Sequence, residues 1–203
     1  MKRLVWISTA IVLVYGAVAV ARPSAGSSFG CLTTARTLTT GVGQAGLGVG
    51  LGIGNRHRNS VSGSLGYGLF DYIDGTIKLG FSDADKVRAA VGVELKYQFL
   101  NAGPALDDPF DLAVGAFGEY LDDIFQLGVC LTGSKTFALG SVRLLTPYAR
   151  FNTRIENDSG KSEIEVGLHG GVEWGITENI SVFGELQIDG RDGIFLGLKD
   201  LVF

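Results

Sequence analysis

From Val42 to the end of the chain, apolar residues recur at every second position, and this pattern excludes most folds. The clearest stretch is 87–99, VRAAVGVELKYQF, where Val87, Ala89, Val91, Val93, Leu95, Tyr97 and Phe99 share one face and Arg88, Glu94, Lys96 and Gln98 the other. A helix cannot segregate residues this way, whereas a strand puts successive side chains on opposite faces. Similar stretches follow one another along the chain, separated by short polar links such as 55–59 (NRHRN), 70–72 (FDY), 121–123 (LDD) and 177–179 (TEN). Links of this length join antiparallel neighbours, and none can hide a parallel crossover helix or a second domain. The expected fold is therefore all-β: a closed, antiparallel, up-and-down barrel of about ten strands, or eight if a terminal hairpin is miscounted.

The first strand is the most unusual. Within 41–54, GVGQAGLGVGLGIG, the apolar Ala45, Leu47, Val49, Leu51 and Ile53 alternate with Gly46, Gly48, Gly50, Gly52 and Gly54. Gly41, Gly43 and Gly46 match the G-x-G-x-x-G spacing of a dinucleotide loop. The polar TTARTLTT lies upstream and a strand downstream, so no helix N-terminus is available to receive a phosphate. The chain's 31 glycines follow no collagen-like period, and 46% hydrophobic residues are too many for disorder.

The glycine ladder also indicates which face points out. With the apolar faces inward, bare glycine would coat the exterior of a soluble domain. With them outward, they meet lipid and leave the small face to a narrow lumen, making the barrel transmembrane. The apolar faces are long enough for the roughly 9–11 residues a tilted strand needs to cross a bilayer. Phe81, Phe99, Phe110, Tyr120, Phe125 and Trp174 fall at strand ends, where an interfacial aromatic girdle belongs.

The N-terminus reads as a signal peptide over 1–21: Lys2 and Arg3, an uncharged apolar run from Leu4 to Val20, and A-x-A cleavage options at Ala17–Ala19 and Ala19–Ala21. A membrane helix is the alternative, borderline in length. Residues 22–41 have no period and read as an extended tail, leaving 42–203 to the barrel. The net charge of −4, more negative after cleavage, argues against a nucleic-acid partner. Two cysteines, Cys31 and Cys130, do not make a disulfide framework. Gly30 before Cys31 suits lipoprotein processing and makes Cys31 a candidate lipid anchor. Ser28, Phe29 and an apolar run that ends too early suit it poorly, and the alternative leaves Cys31 in a free tail.

The signal peptide, the alternation over 42–203 and a final Phe203 with Leu201 two residues earlier resemble the small bacterial outer-membrane β-barrels. The resemblance implies a porin-like or structural cell-envelope protein in the outer membrane, with Phe203 read by the barrel-assembly machinery. It also implies contact with outer-membrane lipid, and the exposed basic loop NRHRN (55–59) around His57 offers at most a contact for lipopolysaccharide phosphates. Two residues depart from the pattern. Lys199 shares a face with Leu201 and Phe203, which is expensive if that face meets lipid. Pro147 cannot donate to a ladder, which predicts a strand start or a bulge there.

Chemistry-bearing motifs are scarce. His57 near Asp83 and Asp85 is the one catalytic arrangement available, on links too short to build a pocket. Gly160-Lys161-Ser162 lacks the first glycine of a phosphate loop, DADK (83–86) and GRDG (190–193) do not match a calcium loop, and no Cys/His spacing suggests zinc. The sequence thus predicts no enzyme, no cofactor and no metal. Charge instead collects on the small face: Asp74, Lys78, Arg88, Glu94, Lys96, Asp111, Glu119, Arg150, Arg154, Glu163, Glu165, Glu173, Glu185 and Asp189. Buried charge is costly without a partner, so a charge-paired lumen is expected, with Arg150 and Glu165 on consecutive strands as a foremost pair. The alternatives are a narrow cation-preferring pore and, from another class, a soluble periplasmic or secreted barrel that binds an apolar ligand.

Overall fold

Each alternating stretch forms a strand because its two faces have different destinations. The computed structural model describes residues 29–53, 59–83, 87–102, 108–121, 124–139, 144–158, 160–190 and 192–201. The signal-peptide region, His57 and Phe203 lie outside them. The strands are β1 (Gly43–Gly52), β2 (Asn59–Phe70), β3 (Ile73–Asp83), β4 (Val87–Leu100), β5 (Asp111–Leu121), β6 (Ile124–Ser134), β7 (Phe137–Ala138), β8 (Leu144–Asp158), β9 (Lys161–Gly175), β10 (Ile180–Ile188) and β11 (Gly193–Leu201). β7 is only a two-residue extension of the β6–β8 hairpin, pairing Phe137 with Leu145 and Ala138 with Leu144. The ten long strands pair in sequence order, β6 directly with β8. β1 closes on β11 from Gln44↔Leu201 to Gly52↔Gly193. The chain is therefore a closed ten-strand antiparallel barrel.

The apolar sets point outward. Leu47, Val61, Leu65, Leu79, Val93, Leu127 and Ile155 are all exposed, as are the six aromatics named above for the girdle. A soluble barrel with an apolar ligand inside needs the opposite orientation, and that alternative is set aside. In β11 the outward residues are Ile194, Leu196 and Leu198, while Phe195 is buried in the lumen. Lys199 lies on the Phe195 side, with its ammonium 4.7 Å from the Phe183 ring centroid. The apparent lipid-facing lysine is thus a lumenal one. Pro147 causes no bulge, because the register of β8 runs unbroken through it against β9. Its carbonyl accepts from Lys135 N–H on the β6 side, and a strand residue points its N and its C=O the same way. The missing donor therefore faces a ladder that has already ended at Ser134↔Tyr148.

Ten strands spaced about 4.8 Å apart and tilted about 40° give a backbone radius of about 10 Å, against about 8 Å for eight. Side chains alone fill the smaller cylinder. The larger one leaves an axial gap about as wide as one extended chain.

Candidate functional site

That gap is filled by the chain itself. Part of the stretch read as a tail runs inside the barrel, with Phe29, Cys31, Leu32, Thr34 and Ala35 all buried, and it continues through 36–40, where Thr37 and Leu38 are half-buried and Arg36, Thr39 and Thr40 exposed. Lacking a strand partner, the segment satisfies its backbone on lumenal side chains. Thr37 N–H donates to Gln98 Oε1 at 2.9 Å, Leu38 N–H to Asp74 Oδ2 at 3.0 Å and Ala35 N–H to Ser134 Oγ at 3.1 Å. Lys96 Nζ donates to the carbonyls of Thr34 and Arg36 at 3.0 and 2.9 Å. Gln187 Nε2 donates to Phe29 O at 3.2 Å.

The tightest attachment is at Glu185. Cys31 N–H donates to its Oε1 at 2.7 Å and Leu32 N–H to its Oε2 at 2.8 Å. Leu32 has a φ of 42°, a left-handed conformation unfavourable for a branched residue. Two successive N–H groups can converge on one anion when neighbouring residues adopt such a bend, so the carboxylate supports the strained backbone. Tyr148 Oη and Gln187 Nε2, both at 2.7 Å, complete four donors around Glu185.

The glycine ladder makes room for this segment. A Cβ at Gly48 would stand 2.9 Å from Leu32 Cδ1, and one at Gly197 would stand 2.7 Å from the same atom. A Cβ at Gly80 would stand 2.9 Å from Phe29 Cε1. Leu32 then packs with Tyr148, Phe183 and Phe195, and Phe29 with Ala90 and Leu121. The lumen therefore holds two small apolar clusters as well as charge. Between the segment, β1–β4 and β11 remains a small cavity of about 30 Å³, with room for water. We expect Gly48→Val to destabilise the folded barrel by about 1–3 kcal/mol through overpacking, read as a lower temperature of unfolding in detergent. Gly63→Val, whose new Cβ would face outward 3.9 Å from Leu47 Cδ2, should leave that temperature unchanged or raise it, because β-branched residues favour strands.

The charged residues picked out from sequence lie on the inner face. Lys78, Glu94, Lys96, Glu119, Arg150, Arg154, Glu165 and Glu185 are buried, and Arg88 and Glu173 are half-buried. Glu163, at the end of β9, is exposed. Arg150 does not pair with Glu165. Its register neighbour on β9 is His169, and its Nη1 reaches past β6 and β5 to Glu94 Oε1 on β4 at 2.7 Å. Glu165 stands opposite Arg154 in the ladder. Glu94 Oε2 also receives Lys78 Nζ at 3.3 Å, and Lys96 Nζ lies 3.3 Å from Asp74. Arg154 Nη1 lies 3.5 Å from Asp189 and its Nε 3.8 Å from Glu156. The Arg150 guanidinium also stacks 5.0 Å from the Phe117 ring centroid, a contact that reduces the cost of burying it.

Cys31, the candidate lipid anchor, is 4% exposed. Its sulfur accepts from Arg150 Nη1 at 3.0 Å. In this position an acyl chain on the thiol would have no path to the bilayer. Beside it stands His169, absent from the charged set, with Nε2 3.3 Å from Asp189 Oδ2 and 3.2 Å from Asn152 Nδ2.

No family model matches this sequence, and no curated protein matches it either. Among solved structures, the β-domain of the Bordetella autotransporter BrkA aligns with TM-score 0.50 and 14% identity over 81% of this chain and 100% of that one. The NanC porin aligns with TM-score 0.48 and 10% identity over 78% and 100%. The N-terminal barrel domain of Pseudomonas aeruginosa OprF aligns with TM-score 0.41 and 12% identity over 80% and 98%. At such identities the likeness concerns fold alone, and that fold is the transmembrane β-barrel.

Proposed function

We propose that this chain is a non-enzymatic bacterial outer-membrane β-barrel, exported through a signal peptide cleaved near residue 21, whose lumen is closed by residues 29–40. Its role is structural, or at most that of a narrow pore. The observation carrying this reading is the segment's attachment along the lumen, from Gln187 and Glu185 to Gln98 and Asp74. A barrel that admits solutes needs an aqueous path, and here a peptide with its own hydrogen bonds and apolar contacts occupies the axis. Buried lumenal ion pairs add to the closure. Purified protein in a planar bilayer should give little or no steady current. A large anion-selective conductance would contradict both the closed and the narrow-pore forms, because the lumenal surface is predominantly acidic.

Membrane insertion is tested separately. In detergent, a closed barrel keeps its fold at room temperature and runs on a gel at a different position once boiled. Replacing Phe203 by Ala should reduce the amount of this heat-modifiable form in the outer membrane, while export to the periplasm continues. Undiminished assembly would remove Phe203 from its role as a signal to the assembly machinery. Lipopolysaccharide is the proposed contact of the outward face at the membrane surface.

A further inference from the structure

We propose that Cys31, His169 and Glu185 form a lumenal binding site for a divalent transition-metal ion of the zinc class, which staples the segment 29–40 to the barrel wall. One ligand atom from each lies within 4.8 Å of the other two, and all three residues are buried. They come from separate parts of the chain: the lumenal segment, β9 and β10. In the ladder His169 faces Gln187 and Glu185 faces Gly171, so the imidazole and the carboxylate are diagonal neighbours on the inner face. Gly171 has no side chain to come between them.

The orientation of His169 carries the argument. Its Nε2 is 3.3 Å from Asp189 Oδ2. A carboxylate accepts only, so in the metal-bound form Nε2 keeps its proton toward Asp189, and Asn152 Nδ2, a donor 3.2 Å away, gives up Nε2, leaving Nδ1 for the ion. That is the arrangement by which a carboxylate prepares a metal-binding histidine. Nδ1 is buried with no hydrogen-bond partner, 3.7 Å from Glu185 Oε1. An orphaned imidazole nitrogen at 3% exposure is costly unless something binds it.

The donor set identifies the ion. Thiolate, imidazole and carboxylate together suit zinc and its tetrahedral relatives, with water as a fourth ligand, and do not suit the all-oxygen preference of calcium or magnesium. Two anionic ligands balance the charge of a divalent ion. Arg150 remains on Glu94 and, as an N–H donor to sulfur, supports the thiolate. Glu185 is held by its four donors, and Gln187 can give up its bond to Oε1 while keeping Phe29 O. All three ligands are buried and one comes from the segment, so the site is complete only once the segment has docked.

The test is to refold the full mature chain in detergent with Co²⁺, a zinc surrogate whose thiolate charge-transfer absorption reports a cobalt–sulfur bond. One cobalt per heat-modifiable barrel is expected, displaced by Zn²⁺. The band should vanish in Cys31→Ser, weaken at least about tenfold in affinity in His169→Gln and persist in Cys130→Ser. Zn²⁺ should raise the unfolding temperature of wild type and leave that of Cys31→Ser unchanged. A folded wild-type barrel with no thiolate–cobalt band, or a band that survives Cys31→Ser, overturns the proposal. The site rests on the lumenal position of residues 29–40, and the two fail separately. Thiol accessibility of Cys31 in chelator reports the segment, and cobalt absorption reports the metal.

Discussion

Deleting residues 29–40 is expected to convert a closed barrel into a conducting one. The ten-strand ladder closes through β1 and β11 without using the segment, so the wall should still form and remain heat-modifiable. What disappears is the axial peptide, including Leu32 between Gly48 and Gly197 and Phe29 beside Gly80 and Gly92. Asp74, Glu185, Lys96 and Gln98, which held its backbone, then face water. With carboxylates in excess along the wall, the current should favour cations and fall in selectivity as salt screens the charge. The barrel should also lose stability, because each of two apolar clusters loses a member, Leu32 from one and Phe29 from the other. A deletion variant that inserts, is heat-modifiable and carries no more current than wild type would mean that the segment does not close the lumen.

The second large effect is at Glu185. Replacing it by Ala removes one acceptor group from four donors: the N–H groups of Cys31 and Leu32, Tyr148 Oη and Gln187 Nε2. A buried donor without an acceptor costs about 1–3 kcal/mol. Water entering the new space recovers part of this, so a net loss of about 3–5 kcal/mol is expected, as for breaking other buried charged contacts. Leu32 also loses the anion that supports its left-handed backbone, so the N-terminal half of the segment should detach first. The expected readouts are a lower urea midpoint for loss of the unheated gel form and intermittent current in bilayers. Glu185→Gln, which keeps the shape and some acceptor capacity, should fall between the Ala variant and wild type. Equal midpoints for Ala and wild type would show that the contact contributes nothing.

The strands were legible because lipid outside and a crowded lumen inside impose opposite demands on alternate residues, and VRAAVGVELKYQF records both. The last strand was harder because IFLGLKDLVF is apolar on both faces. Phe195 is inward, where it joins Leu32, Tyr148 and Phe183, and counting apolar residues cannot distinguish lipid from a lumenal cluster. Residues 29–40 left no periodic signature, since they join no ladder and their partners lie far along the chain. Their one trace was the glycine ladder, which signals a close approach without naming what approaches. The lumenal charges were legible by face but not by partner. Sequence adjacency suggested Arg150 with Glu165, whereas the long guanidinium reaches past β6 and β5 to Glu94 on β4. Cys31, His169 and Glu185 are likewise scattered in sequence and meet only when the segment enters the lumen.

The position of Cys31 tests the account most directly, using a natural residue as the probe. In a Cys130→Ser background, folded barrel in detergent and chelator is exposed to a maleimide before and after heating, and the two gel forms are read separately. A segment seated in the lumen keeps Cys31, at 4% exposure, unlabelled in the folded form and fully reactive once the barrel is unfolded. Rapid labelling of the folded form would place Cys31 in solvent and contradict the occupied lumen, and a thiol still blocked after unfolding would mark an acylated cysteine that could not lie there.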